Sequence, residues 1–156
     1  FNIPAFTGAY GFIPEENERD SYLQALKGRD GLSSPSVPAL VAHIAAYRDG
    51  APWLDALRDY LQANMRYVAD TLNNAFPALC WQPPEATYLA WIDLRPLNVD
   101  DRALQQALIA EQKVAIMPGY TYGPEGNGFL RLNVGCPREK LERGVEGLIA
   151  ALRSLS

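Results

Sequence analysis

The sequence predicts an α+β fold, and three observations point to it. Between Pro52 and Phe76, Leu54, Leu57, Leu61, Met65, Val68 and Leu72 recur every three or four residues, the spacing of one long amphipathic helix. Beyond Pro77 short apolar runs alternate with amphipathic ones, in the order strand, strand, helix, strand, strand, helix over residues 77–156. Such elements bury their apolar sides against one another as two layers. Third, Phe129-Leu130-Arg131-Leu132-Asn133-Val134 reads as a strand with an arginine inside it. Alternation sets Leu130, Leu132 and Val134 on one face, and Phe129, Arg131 and Asn133 on the other.

Taken in order, residues 1–13 are apolar and glycine-punctuated, and their second half has the look of a buried strand that has no partner strand nearby. A short helix follows around Tyr22, Leu23 and Leu26 and stops at Gly28. Gly31-Leu32-Ser33-Ser34-Pro35 is a turn, after which Pro35 or Pro38 opens a helix carrying Leu40, Val41 and Ile44 up to Gly50. The long helix from Pro52 has Asp55, Arg58, Asp59, Gln62 and Arg66 on its polar side and runs for about six turns. Leu79 to Gln82 reads as a brief strand. Thr87 to Leu94 reads as a second, apolar on both faces and so covered on both. Asp100 caps a helix with Leu104, Leu108 and Ile109 inward, and Val99 with Leu104 has the spacing of a hydrophobic staple. Val114 to Met117 is a further strand, the loop Pro118 to Gly128 leads into the arginine strand, and Pro137 opens a last helix with Leu141, Val145, Leu148, Ile149, Leu152 and Leu155 inward.

Composition narrows the function. A chain of 156 residues, 48% of them hydrophobic, can bury a core, and no apolar run has the length a membrane-spanning helix needs. With a net charge of −4 and 14 scattered basic residues, neither a nucleic-acid footprint nor a polybasic membrane patch is expected. Cys80 and Cys136 form no CxxC and accompany a single histidine, His43, so the expectation is no metal site, no disulfide framework, and two structural thiols in a reducing cytoplasm. His43, among small and apolar residues, reads as structural. Since the first residue is Phe1 and no leader precedes it, the chain is expected to be a piece of a longer protein.

Arg131 is the candidate functional residue. Its planar donor fork is costly near apolar surface unless a carboxylate or phosphate meets it. A solvated edge-strand arginine or an internal ion pair is the ordinary reading; a substrate-carboxylate anchor is the other. Tyr120 and Tyr122, on the glycine-hinged loop before it, either cover the sheet end or form a site wall. No Ser-His-Asp set, nucleophile elbow or phosphate loop is present, and Lys27, Lys113 and Lys140 fall on polar helix faces or ends.

Five stretches together point further: Phe1-Asn2-Ile3-Pro4-Ala5-Phe6-Thr7-Gly8, Gly31-Leu32-Ser33-Ser34-Pro35-Ser36, Thr87-Tyr88-Leu89-Ala90-Trp91-Ile92-Asp93, Met117-Pro118-Gly119, and Phe129-Leu130-Arg131-Leu132-Asn133 through Pro137. They closely resemble the C-terminal part of a pyridoxal-phosphate enzyme of the MalY/PatB-type cystathionine β-lyase branch, within the class I/II aminotransferases of fold type I. The match runs in order from Phe1 to the last helix. It implies a small two-layer domain with a mainly antiparallel sheet over residues 77–156, a connector helix over 52–76, and the tail of a large cofactor-binding domain over 1–51.

The resemblance also implies chemistry. The family's Schiff-base lysine lies in a Ser-Lys-Ser/Thr-Phe-Asn type motif whose end Phe1-Asn2 resembles, so that lysine is expected just before Phe1, and Lys27, Lys113 and Lys140 do not match it. The chain alone is then expected to be inactive. Thr7-Gly8 stands where aminotransferases proper often carry a phosphate-binding arginine, which favours the lyase-like branch. Arg131 matches the arginine that grips the substrate α-carboxylate, Asn133 would orient it, and Tyr120 and Tyr122 would wall the site. The implied activity is carbon–sulfur β-elimination on an amino acid, with pyridoxal phosphate as cofactor in a homodimer. An amino-acid aminotransferase is the alternative, and a regulatory protein that binds a transcription activator is a second.

Overall fold

In the computed structural model the described residues are 1, 3, 5–6, 8–32 and 34–155. Asn2, Pro4, Thr7, Ser33 and Ser156 lie outside them, and with them the parts of the family-like motifs that fall there. The chain divides into two units, Phe1–Ala56 and Leu57–Ser156.

In the first unit, α1 (Glu16–Gln24) continues into one wider turn, Ala25–Arg29, closed by the Asp30 N–H on the Ala25 carbonyl at 3.0 Å. The helix therefore runs past Gly28, where the sequence suggested a stop. α2 (Val37–Asp49) begins as Ser36 Oγ accepts from the Ala39 N–H at 3.3 Å, with Pro38 in its first turn, where a missing N–H costs nothing. His43 Nδ1 lies 2.7 Å from the Ala39 carbonyl of its own helix, a local contact that fits a structural role. The strand expected over Gly8–Ile13 is not formed. Phe12 is 88% exposed and Tyr10 turns its hydroxyl onto that of Tyr47 at 2.9 Å. A strand needs a neighbouring backbone to take its N–H and C=O groups, and none of the described residues offers one to this stretch.

α3 (Ala51–Ala75) is the long helix the periodicity predicts. In the second unit its apolar residues Met65, Val68 and Leu72 are buried beneath β1 (Leu89–Asp93), α4 (Asp101–Ala110), β2 (Met117–Pro118), β3 (Phe129–Asn133) and α5 (Arg138–Ser154). The sheet has the order β1-β3-β2 and both pairings are antiparallel. Its inner face presents Ala90, Ile92, Leu130 and Leu132 to one core shared with Leu104 and Leu108 of α4, and with Leu141, Val145, Leu148 and Leu152 of α5. α4 starts where Asp100 accepts from the Ala103 N–H at 2.7 Å. Asn64 is the buried polar residue of this core, 1% exposed: its amide donates to the Val134 carbonyl at 2.9 Å and its Oδ1 accepts from Arg138 at 3.3 Å.

Several sequence expectations are corrected here. Leu79–Gln82 is not a strand. Pro77–Leu79 is a tight turn, and the Trp81 N–H and C=O are both taken by the Asn73 side chain, at 2.9 and 2.8 Å, which stands where a neighbouring strand would. Val114–Met117 contributes only Met117 to the sheet, because the Val114 N–H closes back on the Leu108 carbonyl at 2.9 Å. β1 is covered on one face only, with Trp91 38% exposed on the other. Ile109 and Leu155, expected inward, face out. Among the described residues no helix is long and apolar enough to cross a membrane.

Candidate carboxylate-binding face of the sheet

The outer face of the sheet carries the side chains that β-alternation sends away from the core. Trp91 of β1 and Met117 of β2 both lie opposite Arg131 of β3, which places the arginine between an indole and a thioether. Arg131 is half-buried, and its guanidinium carbon lies 4.5 Å from the centre of the Tyr122 ring. No carboxylate or other hydrogen-bond acceptor among the described residues meets it. A planar cation stacked on a ring keeps its edge donors free, and those donors pair bidentately with a carboxylate.

The aromatic side chains form a continuous series. Tyr122 meets the Trp91 ring edge-on at 5.7 Å and 71°. Trp91 stacks on Phe129 at 5.6 Å and 21°, and Arg95 lies 4.6 Å over the far ring. Arg95 is tied to Asp93 by contacts of 2.6 and 2.9 Å, and this guanidinium holds the Asp93 carboxyl below its usual range. The other cation of the face is thus neutralised internally, while Arg131 is not.

The loop that delivers Tyr122 is held at both ends. Gly119 and Gly126 approach so closely that a Cβ on either would run into the carbonyl oxygen of the other. Gly128, at φ +80°, gives its N–H to Asp101 Oδ2 at 2.6 Å. These contacts separate the two tyrosines. Tyr122 joins Arg131, whereas Tyr120 lies under Arg102, 5.2 Å from its guanidinium carbon, beside a separate cleft of about 300 Å³ lined also by Asp100, Asp101 and Asn127. Asn133 shares the face of Arg131, but its Oδ1 accepts from the Gly135 N–H at 2.8 Å and makes no hydrogen bond to the arginine. Lys27, Lys113 and Lys140 are exposed, and the Lys113 amine caps the Ala110 carbonyl at 2.6 Å. Among the described residues no cluster of His, Cys, Asp and Glu could hold a metal.

Sequence reasoning missed Trp91. The available signal was the alternation Leu89, Trp91, Asp93, which puts the indole on a polar-side position; its nearness to Arg131 depends on register.

This architecture defines a class. It matches the pyridoxal-phosphate-bound carbon–sulfur lyase of Staphylococcus hominis at a TM-score of 0.71 and 31% identity, over 81% of this chain and 34% of that one. Cystalysin from Treponema denticola, whose crystal structure contains a pyridoxal 5'-phosphate cofactor, matches at a TM-score of 0.78 and 28% identity, over 93% of this chain and 36% of that one. These are enzymes of fold type I. The aminotransferase class I and II family profile matches residues 1–148, and the chain belongs to that family. It is 71% identical over 155 residues to the protein MalY of Escherichia coli K12, covering 99% of this chain and 40% of MalY. It is 37% identical over 152 residues to cystathionine β-lyase PatB of Bacillus subtilis 168, covering 97% of this chain and 39% of PatB. The chain thus spans about 40% of the length of these relatives.

Proposed function

We propose that the chain is the C-terminal part of a pyridoxal-phosphate-dependent carbon–sulfur β-lyase. The enzyme would split cystathionine or another cysteine S-conjugate, with one water, into a thiol, pyruvate and ammonia. One observation carries the reading: Arg131 stands half-buried on an aromatic sheet face, and no carboxylate of the described residues pairs with it, as a carboxylate anchor requires. In this reading residues 1–51 are the tail of the large domain, 52–76 the connector helix and 77–156 most of the small domain. The partners are an amino-acid substrate, a second copy in a homodimer, and, by resemblance to MalY-type proteins, a transcription activator. Free thiols at Cys80 and Cys136 suit a cytoplasmic setting.

The donor set fits the substrate side of such a site. An unpaired guanidinium with free edge donors suits the α-carboxylate, while Lys27, Lys113 and Lys140 do not match the family's Schiff-base lysine, which is proposed to precede Phe1. When bound, pyridoxal phosphate supplies an electron sink for the charge left at Cα. Arg131 fixes the amino acid by its carboxylate and so sets the direction of the Cα–H bond. Trp91, Phe129 and Tyr122 exclude water beside that ion pair, which strengthens it.

The full-length enzyme tests the reading. It should release thiol from cystathionine without any keto acid, and Arg131→Lys should raise KM about tenfold or more, as loss of a bidentate pair does. A requirement for a keto-acid acceptor with no thiol released would instead establish the aminotransferase reading. Activator binding that survives Arg131→Ala while lyase turnover is lost would show the regulatory role to be separate.

A further inference from the structure

Among the described residues, the ring over which the Arg131 guanidinium lies is that of Tyr122. The guanidinium carbon is 4.5 Å from the centre of that ring, and the Tyr122 hydroxyl has no hydrogen-bond partner among the described residues. The ring, not the hydroxyl, is what Tyr122 brings to the arginine. Tyr122 is itself 47% exposed on a loop, so the ring needs a second support. That support is Trp91. Its indole packs T-shaped against the Tyr122 ring at 5.7 Å and itself stacks on Phe129 at 5.6 Å. Trp91 is also the residue directly opposite Arg131 across the β1–β3 ladder, so the brace and the arginine share one register position.

We propose that Trp91 is a positioning residue for substrate binding: it holds the Tyr122 ring, which holds the Arg131 guanidinium with its edge donors turned outward. The inference rests on the carboxylate-anchor reading of Arg131. A long, rotamer-rich cation that is pre-stacked loses less freedom when a carboxylate arrives, so a larger share of the pairing energy appears as affinity. Edge-to-face packing of Trp91 on Tyr122 leaves the upper face of Tyr122 to the cation, the arrangement in which an aromatic quadrupole attracts charge. Arg95, the only other arginine described on this face, already meets the Asp93 carboxylate, so it does not compete for the incoming anion. The role proposed for Trp91 acts through Arg131.

The experiment uses the full-length, cofactor-loaded enzyme and separates carboxylate recognition from everything else. Calorimetric dissociation constants are measured for L-methionine, which lacks a β leaving group, and for 3-(methylthio)propylamine, the same molecule without its carboxylate. The ratio of the two constants isolates what the carboxylate contributes. Trp91→Leu and Tyr122→Leu should each lower that ratio about three- to tenfold and raise KM for cystathionine in parallel, with kcat changed by less than about twofold. Trp91→Phe and Tyr122→Phe should recover most of the loss, since each keeps a ring. Arg131→Lys should remove most of the discrimination and serves as the reference. If Arg131→Lys leaves the ratio intact, the anchor reading itself fails. If Arg131→Lys removes it while both leucine variants keep it, the positioning role of Trp91 is overturned and the anchor stands. Phenylalanine variants as impaired as the leucine ones would overturn it equally. Should leucine at position 91 prevent folding, the exposed-loop variant Tyr122→Leu, with its phenylalanine control, tests the ring support, and Trp91→Phe, Trp91→His and Trp91→Met grade the brace: a ratio indifferent to ring loss at 91 overturns the proposal.

Discussion

Asn64 is a buried amide whose donors and acceptor are all engaged, by the Val134 and Cys136 carbonyls and by Arg138. It ties α3 to the end of β3 and the start of α5. Leucine at this position would leave the Val134 carbonyl without its donor inside the core, whereas the Cys136 carbonyl keeps the Tyr60 hydroxyl and Arg138 keeps Glu142. We expect Asn64→Leu to lower unfolding free energy by about 1–3 kcal/mol, the cost of a buried polar group left unsatisfied, measured by urea denaturation. Asp93 makes a second residue-scale case. Its folded-state pKa is depressed by the hydrogen bonds from Arg95, so the stabilisation of the pair is present above the unfolded value and is lost as pH falls through the folded one. An NMR titration should place the Asp93 midpoint below about 3.9, and Arg95→Gln should bring it back toward that value. Both partners are substantially exposed, so the effect on overall stability is small.

At the scale of elements, the loop between β2 and β3 decides whether a cation and a ring meet. Its fold depends on the close approach of Gly119 and Gly126, where any side chain would drive the two strands of the loop apart. Gly126→Ala should therefore displace the loop and Tyr122 with it, and we expect it to lower carboxylate discrimination as Tyr122→Leu does; because Gly119 follows β2 and packs on Phe129 of β3, the melting temperature should fall as well. Loss of stability with unchanged discrimination would show that the loop serves packing alone. The helices behave differently, because each is specified locally. Asp100 and Ser36 cap α4 and α2 through their own side chains, and the apolar stripe of α3 needs no partner to be recognised. The brief strands are the reverse case. An apolar run such as Leu79 to Gln82 has the composition of a strand, yet the Asn73 amide takes the backbone groups of Trp81 that a ladder would use.

Across the whole molecule, burial is uneven. The core cluster lies entirely within residues 57–156, whereas Ala39 is the one fully buried residue described in 1–56. Amide exchange on the chain should accordingly show the slowest sites at Leu130 and Leu132 of β3, with α1 and α2 exchanging orders of magnitude faster. Equal protection in both would mean that α1 and α2 are covered. The sequence alone determined the α+β class, α3 to α5, the inward and outward faces of β3, and the singular position of Arg131, because helix and strand periods and caps are properties of neighbouring residues. It also carried motifs enough to mark the family. Only the tertiary structure decided that Trp91 stands opposite Arg131, that Tyr122 rather than Tyr120 covers the guanidinium, and that Asn133 turns to Gly135 instead. Those relations depend on strand register and on two glycines meeting across a loop, and such contacts between residues distant in the chain leave no periodic trace in it.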